Sequence, residues 1–202
     1  MDTSPYSGLV TEKWLDKTKE LVLQYPLHTQ EMVEVVLQSW KDIFDSRLGP
    51  KGFQIGKDIF PQPQIMAFLL HELIPLEFAT RYPGQWRRDL SGADKDLVYI
   101  PNEHFSLEIK TSSSANGIFG NRSYAQPTEG NNKSKSGYYL AVNFGGFDEK
   151  NTELPSIRLV RFGWFDHSDW IGQKAASGQQ SHPTPDAKKH KLLILYPAKS
   201  AP

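Results

Sequence analysis

The sequence predicts a mixed α/β fold of the α+β type, in which an N-terminal helical segment precedes a central mixed β-sheet of about five strands flanked by helices. Apolar residues recur at helical spacing through the first 80 residues, short runs rich in aromatic and β-branched residues follow, and 15 Gly and 14 Pro separate these segments. A chain of 202 residues suits one substantial core. We therefore expect a single domain over residues 1–202, with a mainly helical scaffold in residues 1–80.

Two helices are predicted at the start of the chain. The first follows the apolar spacing from Trp14 to Tyr25 and ends before Pro26. The second repeats this spacing from Met32 to Phe44, after a cap at Thr29. Stripes of this kind belong to the core or to a dimer surface far more often than to a cofactor site.

Three glycines and three prolines fall within residues 47–63 and interrupt regular structure, so this segment is predicted to form a loop. A third helix follows from Gln64 to Ile74. Pro75 is expected to kink it before the stretch from Leu76 to Thr80, because proline lacks the N–H that the helix requires.

Five strands are predicted after the helices, at about residues 96–101, 105–111, 137–144, 156–165 and 190–196. The third is mostly apolar over eight positions, which is typical of a strand covered on both faces. The fourth alternates apolar and polar residues at its start and is expected to be half-exposed.

Several classes of protein are disfavoured by what the sequence lacks. There is no cysteine, which excludes disulfides and thiolate metal sites, and the six histidines have no zinc-ligand spacing. No apolar run approaches a membrane span, and the first residues do not resemble a signal peptide, so we expect a cytoplasmic protein with no membrane partner. GxGxxG, Walker and GxSxG motifs are also absent.

The most informative segment runs from Asp94 to Lys110. Apolar residues follow Asp96, a turn is predicted at residues 101–104, and the next strand ends on Glu108, Ile109 and Lys110. Because side chains alternate along a strand, Glu108 and Lys110 project from the same face. Carboxylates from two adjacent strands can hold a hard divalent cation such as Mg²⁺, and the lysine can orient an attacking water. An ordinary hairpin with solvent-facing charges is the alternative.

A loop rich in small polar residues begins directly after Lys110. It contains Thr111 to Ser114 and then Asn116 to Tyr124, a composition of hydroxyl, amide and glycine groups that brings the backbone close to a ligand. Such groups are typical contacts of a nucleic-acid phosphate backbone, although a plain polar loop has the same composition.

These motifs together resemble the PD-(D/E)xK nuclease superfamily. The segments EIKTSS, IFGNRSY and GYYLAVNF, with the FGWFDHSDWIGQ run from Phe162 to Gln173 and GQQ at residues 178–180, are similar to type II restriction endonucleases, most nearly the ScaI-type group. The resemblance covers about residues 94–180. It implies a restriction-endonuclease-like fold, with the catalytic sheet and the DNA-binding loops in residues 94–202.

The resemblance also implies roles for residues of the motif. Asp96 is the best match to the first acid, although Lys95 stands where the family name has proline, and Asp94 competes for the role. Asp96, Glu108 and the carbonyl of Ile109 would bind Mg²⁺, with Mn²⁺ as a substitute, and Lys110 would assist the attacking water. Asp96, Glu108 and Lys110 are thus the expected catalytic residues. An additional helical carboxylate is implied at Glu72 or Glu77, with an exposed helix acid as the alternative for each.

Polar and basic residues of the C-terminal half are the candidate DNA contacts. The candidates are Ser112, Ser113, Ser114, Asn116, Asn121, Arg122, Ser123, Lys133, Lys135, Arg161, Gln173 and Lys174. The charge distribution favours this half: residues 1–109 hold 11 Lys and Arg against 16 Asp and Glu, whereas residues 110–202 hold 12 against 7, so the net charge changes from −5 to +5.

The expected activity is that of a type II site-specific deoxyribonuclease. It would hydrolyse double-stranded DNA at a short palindromic sequence, leave 5′-phosphate ends, act as a homodimer and have a cognate DNA methyltransferase in the host. Two alternatives stay open from the sequence: a repair or structure-specific nuclease on the same core, and a non-catalytic DNA-binding module. A protein-interaction scaffold is a weaker third.

Overall fold

The structure is a computed structural model that describes residues 4–126, 134–147, 153–174 and 178–197. Three long helices come first: α1 (Thr11–Leu23), α2 (Thr29–Asp45) and α3 (Pro63–Arg81). They confirm the predicted helical segment. Helix α3 includes Pro75, which is buried against the core, so the residues predicted on either side of Pro75 belong to one helix.

A six-stranded mixed sheet forms the centre of the molecule. Its strands, in spatial order, are β1 (Trp86–Arg88), β2 (Leu97–Tyr99), β3 (Leu107–Ser112), β5 (Gly137–Phe144), β6 (Ile157–Phe165) and β9 (Leu192–Tyr196). Strands β3 and β5 are parallel, and the other neighbours are antiparallel. The mixed α/β class is therefore confirmed, with one more strand than predicted.

A second, three-stranded sheet lies beside the first. It contains β4 (Gly120–Asn121), β8 (Gln180–Pro183) and β7 (Trp170–Gly172) in that order, and the short helix α4 (Pro185–His190) follows it. None of these elements was predicted: β4 lies in a segment of loop-like composition, and residues 172–190 are mostly polar and lack an apolar period. Within the described ranges, none of the helices has the length and apolar character that crossing a membrane would require.

The central sheet is covered on both faces. Helices α1 to α3 pack on one face, where Leu107, Ile109, Leu140 and Phe162 belong to the main apolar cluster. On the opposite face, a smaller cluster joins Tyr139, Ala141 and Phe165 of the sheet to Ile118, Tyr124 and Trp170.

The predicted half-exposure of residues 156–165 holds only at the start of the strand, where Ser156 and Arg158 are exposed. From Val160 to Phe165 every residue of β6 is buried, because both faces of this strand are covered. The strand β5 is buried throughout, as predicted.

Candidate active site

Two of the predicted catalytic side chains, Glu108 and Lys110, lie on the sheet face opposite the long helices. Glu108 and Lys110 are aligned with Tyr139 and Ala141 of the parallel strand β5. Tyr139 and Ala141 belong to the smaller apolar cluster, and alternation along β3 places Glu108 and Lys110 on that side. The intervening Ile109 faces the helices.

Asp96 is fixed to the strand that carries Glu108. It precedes β2, is only 6% exposed, and its Oδ2 atom accepts a hydrogen bond of 2.7 Å from the backbone N–H of Ile109. A bond between a carboxylate and a backbone N–H is charge-assisted and stronger than a neutral one. The turn from β2 to β3 contains a 3₁₀ turn at Glu103–Phe105, so the two strands meet through a longer connection than a tight hairpin.

Glu108 is almost completely buried, at 1% exposure, and is held by two side chains. Its Oε1 atom accepts hydrogen bonds from Lys110 Nζ at 2.6 Å and from the hydroxyl of Tyr124. The ammonium of Lys110 also lies 4.6 Å from the centre of the Tyr124 ring, at cation–π distance. Lys110 is therefore positioned by both a carboxylate and an aromatic face.

The two carboxylates influence the same neighbours. Burial raises the pKa of the Tyr124 hydroxyl well above its usual value, and the negative charges of Glu108 and Asp96 raise it further. Burial and the same two charges raise the pKa of Tyr139. Both tyrosines therefore stay protonated, and Tyr124 acts as a hydrogen-bond donor to Glu108.

His71 of α3 reaches Asp96 from the helical side. Its Nε2 atom lies 3.2 Å from Asp96 Oδ2. Burial by itself lowers the pKa of His71, but the hydrogen bond and the negative charge of Asp96 outweigh this effect, so the pKa is raised. The contact gives Asp96 a partner from α3 in addition to the backbone of β3.

The residues present fit a divalent metal ion with oxygen ligands. Glu108 on β3 and Asp96, directly before the neighbouring strand β2, supply buried carboxylates, and Ile109, which follows Glu108 in sequence, supplies a backbone carbonyl. Hard cations such as Mg²⁺ prefer these donors and keep several waters. Among the described residues, no three His, Cys, Asp or Glu side chains form a cluster that could hold a metal. Water and a substrate phosphate would complete the coordination.

The three additional carboxylates predicted as ligands are placed in ion pairs with arginines. Asp94 binds Arg87 at 2.9 Å and accepts the N–H of Leu90. Glu72 binds Arg88, and Glu77 binds Arg81 at 2.7 Å. The hydrogen bond from Arg87, together with the one from the Leu90 N–H, lowers the pKa of Asp94 to about 2. The structure does not bring these acids together with Asp96 and Glu108.

An open cleft extends from Lys110 over the second sheet. It has a volume of about 220 Å³ and is lined by Lys110, Phe119, Gly120, Asn121, Tyr124 and Gln180. Pairing of β4 with β8 aligns Asn121 with Gln180, so the FGNRSY and GQQ segments are brought together. Side chains of the types that contact phosphates and bases therefore lie next to Lys110.

The candidate DNA contacts differ in the exposure of their side chains, from exposed through half-buried to buried. Those with exposed side chains are Asn116, Asn121, Ser123, Gln173 and Lys174, whereas Ser112, Ser113, Ser114, Arg122 and Lys135 are half-buried. The ammonium of Lys135 lies 4.6 Å from the centre of the Tyr124 ring, the same ring that the ammonium of Lys110 contacts. Arg161 is only 4% exposed and bonds to protein atoms. Lys133 lies outside the described residues.

Two residues of the site were missed by the sequence interpretation. His71 directly precedes the predicted ligand Glu72, and successive helical residues differ by about 100° in direction, so a helix of unknown rotation does not reveal which one faces the sheet. Tyr124 lies in a segment that the sequence predicts to contact DNA. Its hydroxyl, which can donate a hydrogen bond to a carboxylate, is the sequence signal that could have identified it.

Comparisons with known proteins identify the family of this chain. A family model described as the ScaI restriction endonuclease matches residues 4–196. The type II restriction enzyme ScaI of Streptomyces caespitosus is 47% identical over 194 residues, which are 96% of this chain and 85% of that protein. A match of this extent includes the helices, the sheet and the three positions predicted to be catalytic. The chain belongs to the ScaI family of type II restriction endonucleases.

Proposed function

We propose that this restriction endonuclease hydrolyses both strands of duplex DNA at one short palindromic sequence, using Mg²⁺ held by Asp96, Glu108 and the Ile109 carbonyl. The observation that carries the proposal is the fixed arrangement of two buried carboxylates and Lys110 beside an open cleft. Family membership favours a restriction enzyme over a repair nuclease or a non-catalytic DNA-binding module.

The chain's own residues have separable tasks in this reaction. A bound divalent ion supplies a Lewis acid and a water of lowered pKa. Asp96 and Glu108 provide anionic oxygen atoms, and the hydrogen bonds from Ile109 and Tyr124 orient them. Lys110 orients the attacking water and balances negative charge on the phosphate. The water oxygen bonds to phosphorus as the bond to the 3′ oxygen breaks, which leaves a 5′ phosphate and a 3′ hydroxyl.

Cleavage of phage DNA tests this function directly. The purified chain is incubated with phage DNA and Mg²⁺, and the fragment ends are sequenced. We expect discrete fragments whose ends share one sequence and carry 5′ phosphates, and no fragments in EDTA. Cleavage confined to flaps or junctions, or Mg²⁺-independent cleavage, would contradict the proposal. Parallel reactions with Mn²⁺ should give the same ends.

We also propose that the active form is a homodimer. A palindrome presents two equivalent scissile phosphates, and a two-fold symmetric pair of subunits matches this symmetry. Sedimentation equilibrium of the purified chain should give twice the monomer mass of 22.9 kDa. A monomer that cuts both strands at its full rate would contradict this part of the proposal.

A cognate DNA methyltransferase and a cytoplasmic location complete the proposal. An enzyme that cuts a short sequence would also cut the host genome unless that sequence is modified. Genomic DNA from the host should therefore resist cleavage, whereas the same DNA amplified without methylation should be cut. Cell fractionation should recover the enzyme with the cytoplasmic proteins.

A further inference from the structure

The loop that follows β3 rests on two buried polar side chains that no catalytic role explains. The loop, residues 112–117, continues from the strand that carries Lys110. Beneath it lie Asn143 of β5 and Arg161 of β6, which are 1% and 4% exposed. Ser112 is aligned with Asn143 across the parallel strands.

Asn143 holds two carbonyls of the loop. Its amide nitrogen donates to the carbonyl oxygens of Ser114 at 2.9 Å and Gly117 at 2.8 Å. The loop adds two bonds of its own, from the Ser114 N–H to Ser112 Oγ and from the Gly117 N–H to Ser114 Oγ. The amide thus fixes both arms of the loop from below.

Arg161 holds the third carbonyl and orients the amide. Its Nη2 atom donates to the Asn116 carbonyl at 3.1 Å and to Asn143 Oδ1 at 2.7 Å. Its Nε atom is buried without a hydrogen-bond partner. In the part of the chain that the structure describes, no carboxylate pairs with this guanidinium, and burial lowers its pKa to about 10, a value at which it still carries its charge at neutral pH.

A buried cation without a counter-charge is costly, and this one lies directly under a polar loop. Three loop carbonyls accept hydrogen bonds from below, so their negative ends are directed at Asn143 and Arg161 rather than at a ligand above. The positive charge beneath them has no protein anion to balance it. An anion bound on the outer side of the loop would supply that balance.

We propose that residues 112–117 form a phosphate-binding loop and that Asn143 and Arg161 are its positioning residues. The inference rests on the proposed function, because the phosphate is taken to belong to the DNA backbone beside the scissile bond. Ser112 lies two residues beyond Lys110 on the same face of the strand, a distance of about 7 Å. Arg161 acts through the loop and does not touch the DNA.

Binding to duplex DNA in EDTA, measured over a range of salt concentrations, tests this role. The probe is a mixed-sequence duplex from phage DNA that the wild-type enzyme cuts. Loss of one phosphate contact makes the negative slope of log K against log salt shallower by about 0.9. We expect Arg161→Met to show this shallower slope with about tenfold weaker binding at low salt, and Arg161→Lys, which keeps the charge, to restore part of the slope.

A charge change far from the loop serves as the control. A second variant at the loop tip tests the proposal if Arg161→Met fails to fold. Lys19→Gln removes an exposed charge from α1, on the other side of the sheet, and should leave the slope unchanged. Ala115 is exposed at the loop tip, so Ala115→Glu should fold normally and weaken binding at least tenfold relative to Ala115→Gln.

The outcomes separate this inference from the proposed function. If the wild type neither binds nor cuts duplex DNA, the proposed function fails. If the wild type binds and cuts while Arg161→Met and Ala115→Glu both keep its affinity and salt slope, the phosphate-binding loop alone is overturned. A role limited to stability would lower the melting temperature of Arg161→Met without changing the slope.

Discussion

The carboxylate of Asp96 accepts the backbone N–H of Ile109 at 2.7 Å, although the two residues are 13 positions apart. This bond attaches the first acid to the strand on which Glu108 and Lys110 stand, immediately beside both. The relative positions of the three proposed catalytic groups therefore depend on one strand, β3. A site of this kind is preorganised, because its geometry follows from the sheet rather than from a mobile loop.

Replacing Asp96 by Asn should abolish most of the cleavage activity without unfolding the chain. The amide oxygen can still accept the Ile109 N–H, but the negative charge needed for the metal is lost. We expect the single-turnover cleavage rate to fall by a factor on the order of 10²–10³. Asp94→Asn is the matched control: its carboxylate pairs with Arg87, so its cleavage rate should stay within a few-fold of wild type. Equal losses in both variants would contradict the assignment of Asp96.

The Asp94 ion pair predicts a specific dependence of stability on pH. The pKa of Asp94 is lowered to about 2, so the folded state holds this proton less tightly than the unfolded state. The pair stabilises the protein fully above the ordinary aspartate pKa of about 3.9, and this contribution is lost as the pH falls towards 2. Urea midpoints of wild type and Asp94→Asn should differ at pH 6 and converge near pH 2. A constant difference across this range would show that the carboxylate does not titrate as described.

Tyr124→Phe should weaken metal binding more than it weakens the fold. The substitution removes the hydroxyl that donates to Glu108 and leaves the ring under Lys110. Substitution of a residue that orients a metal ligand typically weakens metal binding by about 10–100-fold. Terbium luminescence in the absence of DNA can measure this affinity without a cleavage assay. Tyr139→Phe, which loses a hydrogen bond to the Lys135 carbonyl instead, is the control and should bind terbium nearly as the wild type does.

Gly163→Ala should destabilise the fold strongly. A Cβ atom at this position of β6 would collide with the backbone carbonyl oxygen of Lys191, whose side chain is buried against Asp166 and Asp169. Crowding in a packed interior costs about 1–3 kcal/mol, and a clash with backbone gives little room to relax. Gly92→Ala, where no atom lies within 4 Å, should change the free energy of unfolding by less than about 1 kcal/mol. Urea denaturation of both variants measures the contrast.

Apolar patterning predicted the long elements of the fold, because their buried faces require apolar residues at a regular spacing. The strand at residues 137–144 was predicted with its observed bounds, since all eight residues are buried and Asn143 is the one amide in an otherwise apolar and aromatic run. Strand β1 was missed, because it has three residues of which two are arginines. The strands of the second sheet were missed for a similar reason: main-chain pairing, rather than an apolar stripe, defines them.

The site was predictable where chemistry requires a particular spacing along one strand. Alternation alone places Glu108 and Lys110 on one face, and the structure retains this arrangement. Arg161 resembled an ordinary DNA-contacting cation in sequence, because nothing local reveals that its strand is covered on both faces. The contact of His71 with Asp96 joins residues 25 positions apart through tertiary packing, which no local spacing predicts.

The most direct test of the catalytic assignment is the single-turnover cleavage of phage DNA by Glu108→Gln in saturating Mg²⁺, measured together with its DNA affinity in EDTA. The glutamine oxygen can still accept hydrogen bonds from Tyr124 and Lys110, so the fold and the DNA affinity should be preserved. We expect no cleavage above the level of the EDTA control. Cleavage at the wild-type rate would contradict the central assignment of Glu108 as a metal-binding catalytic residue.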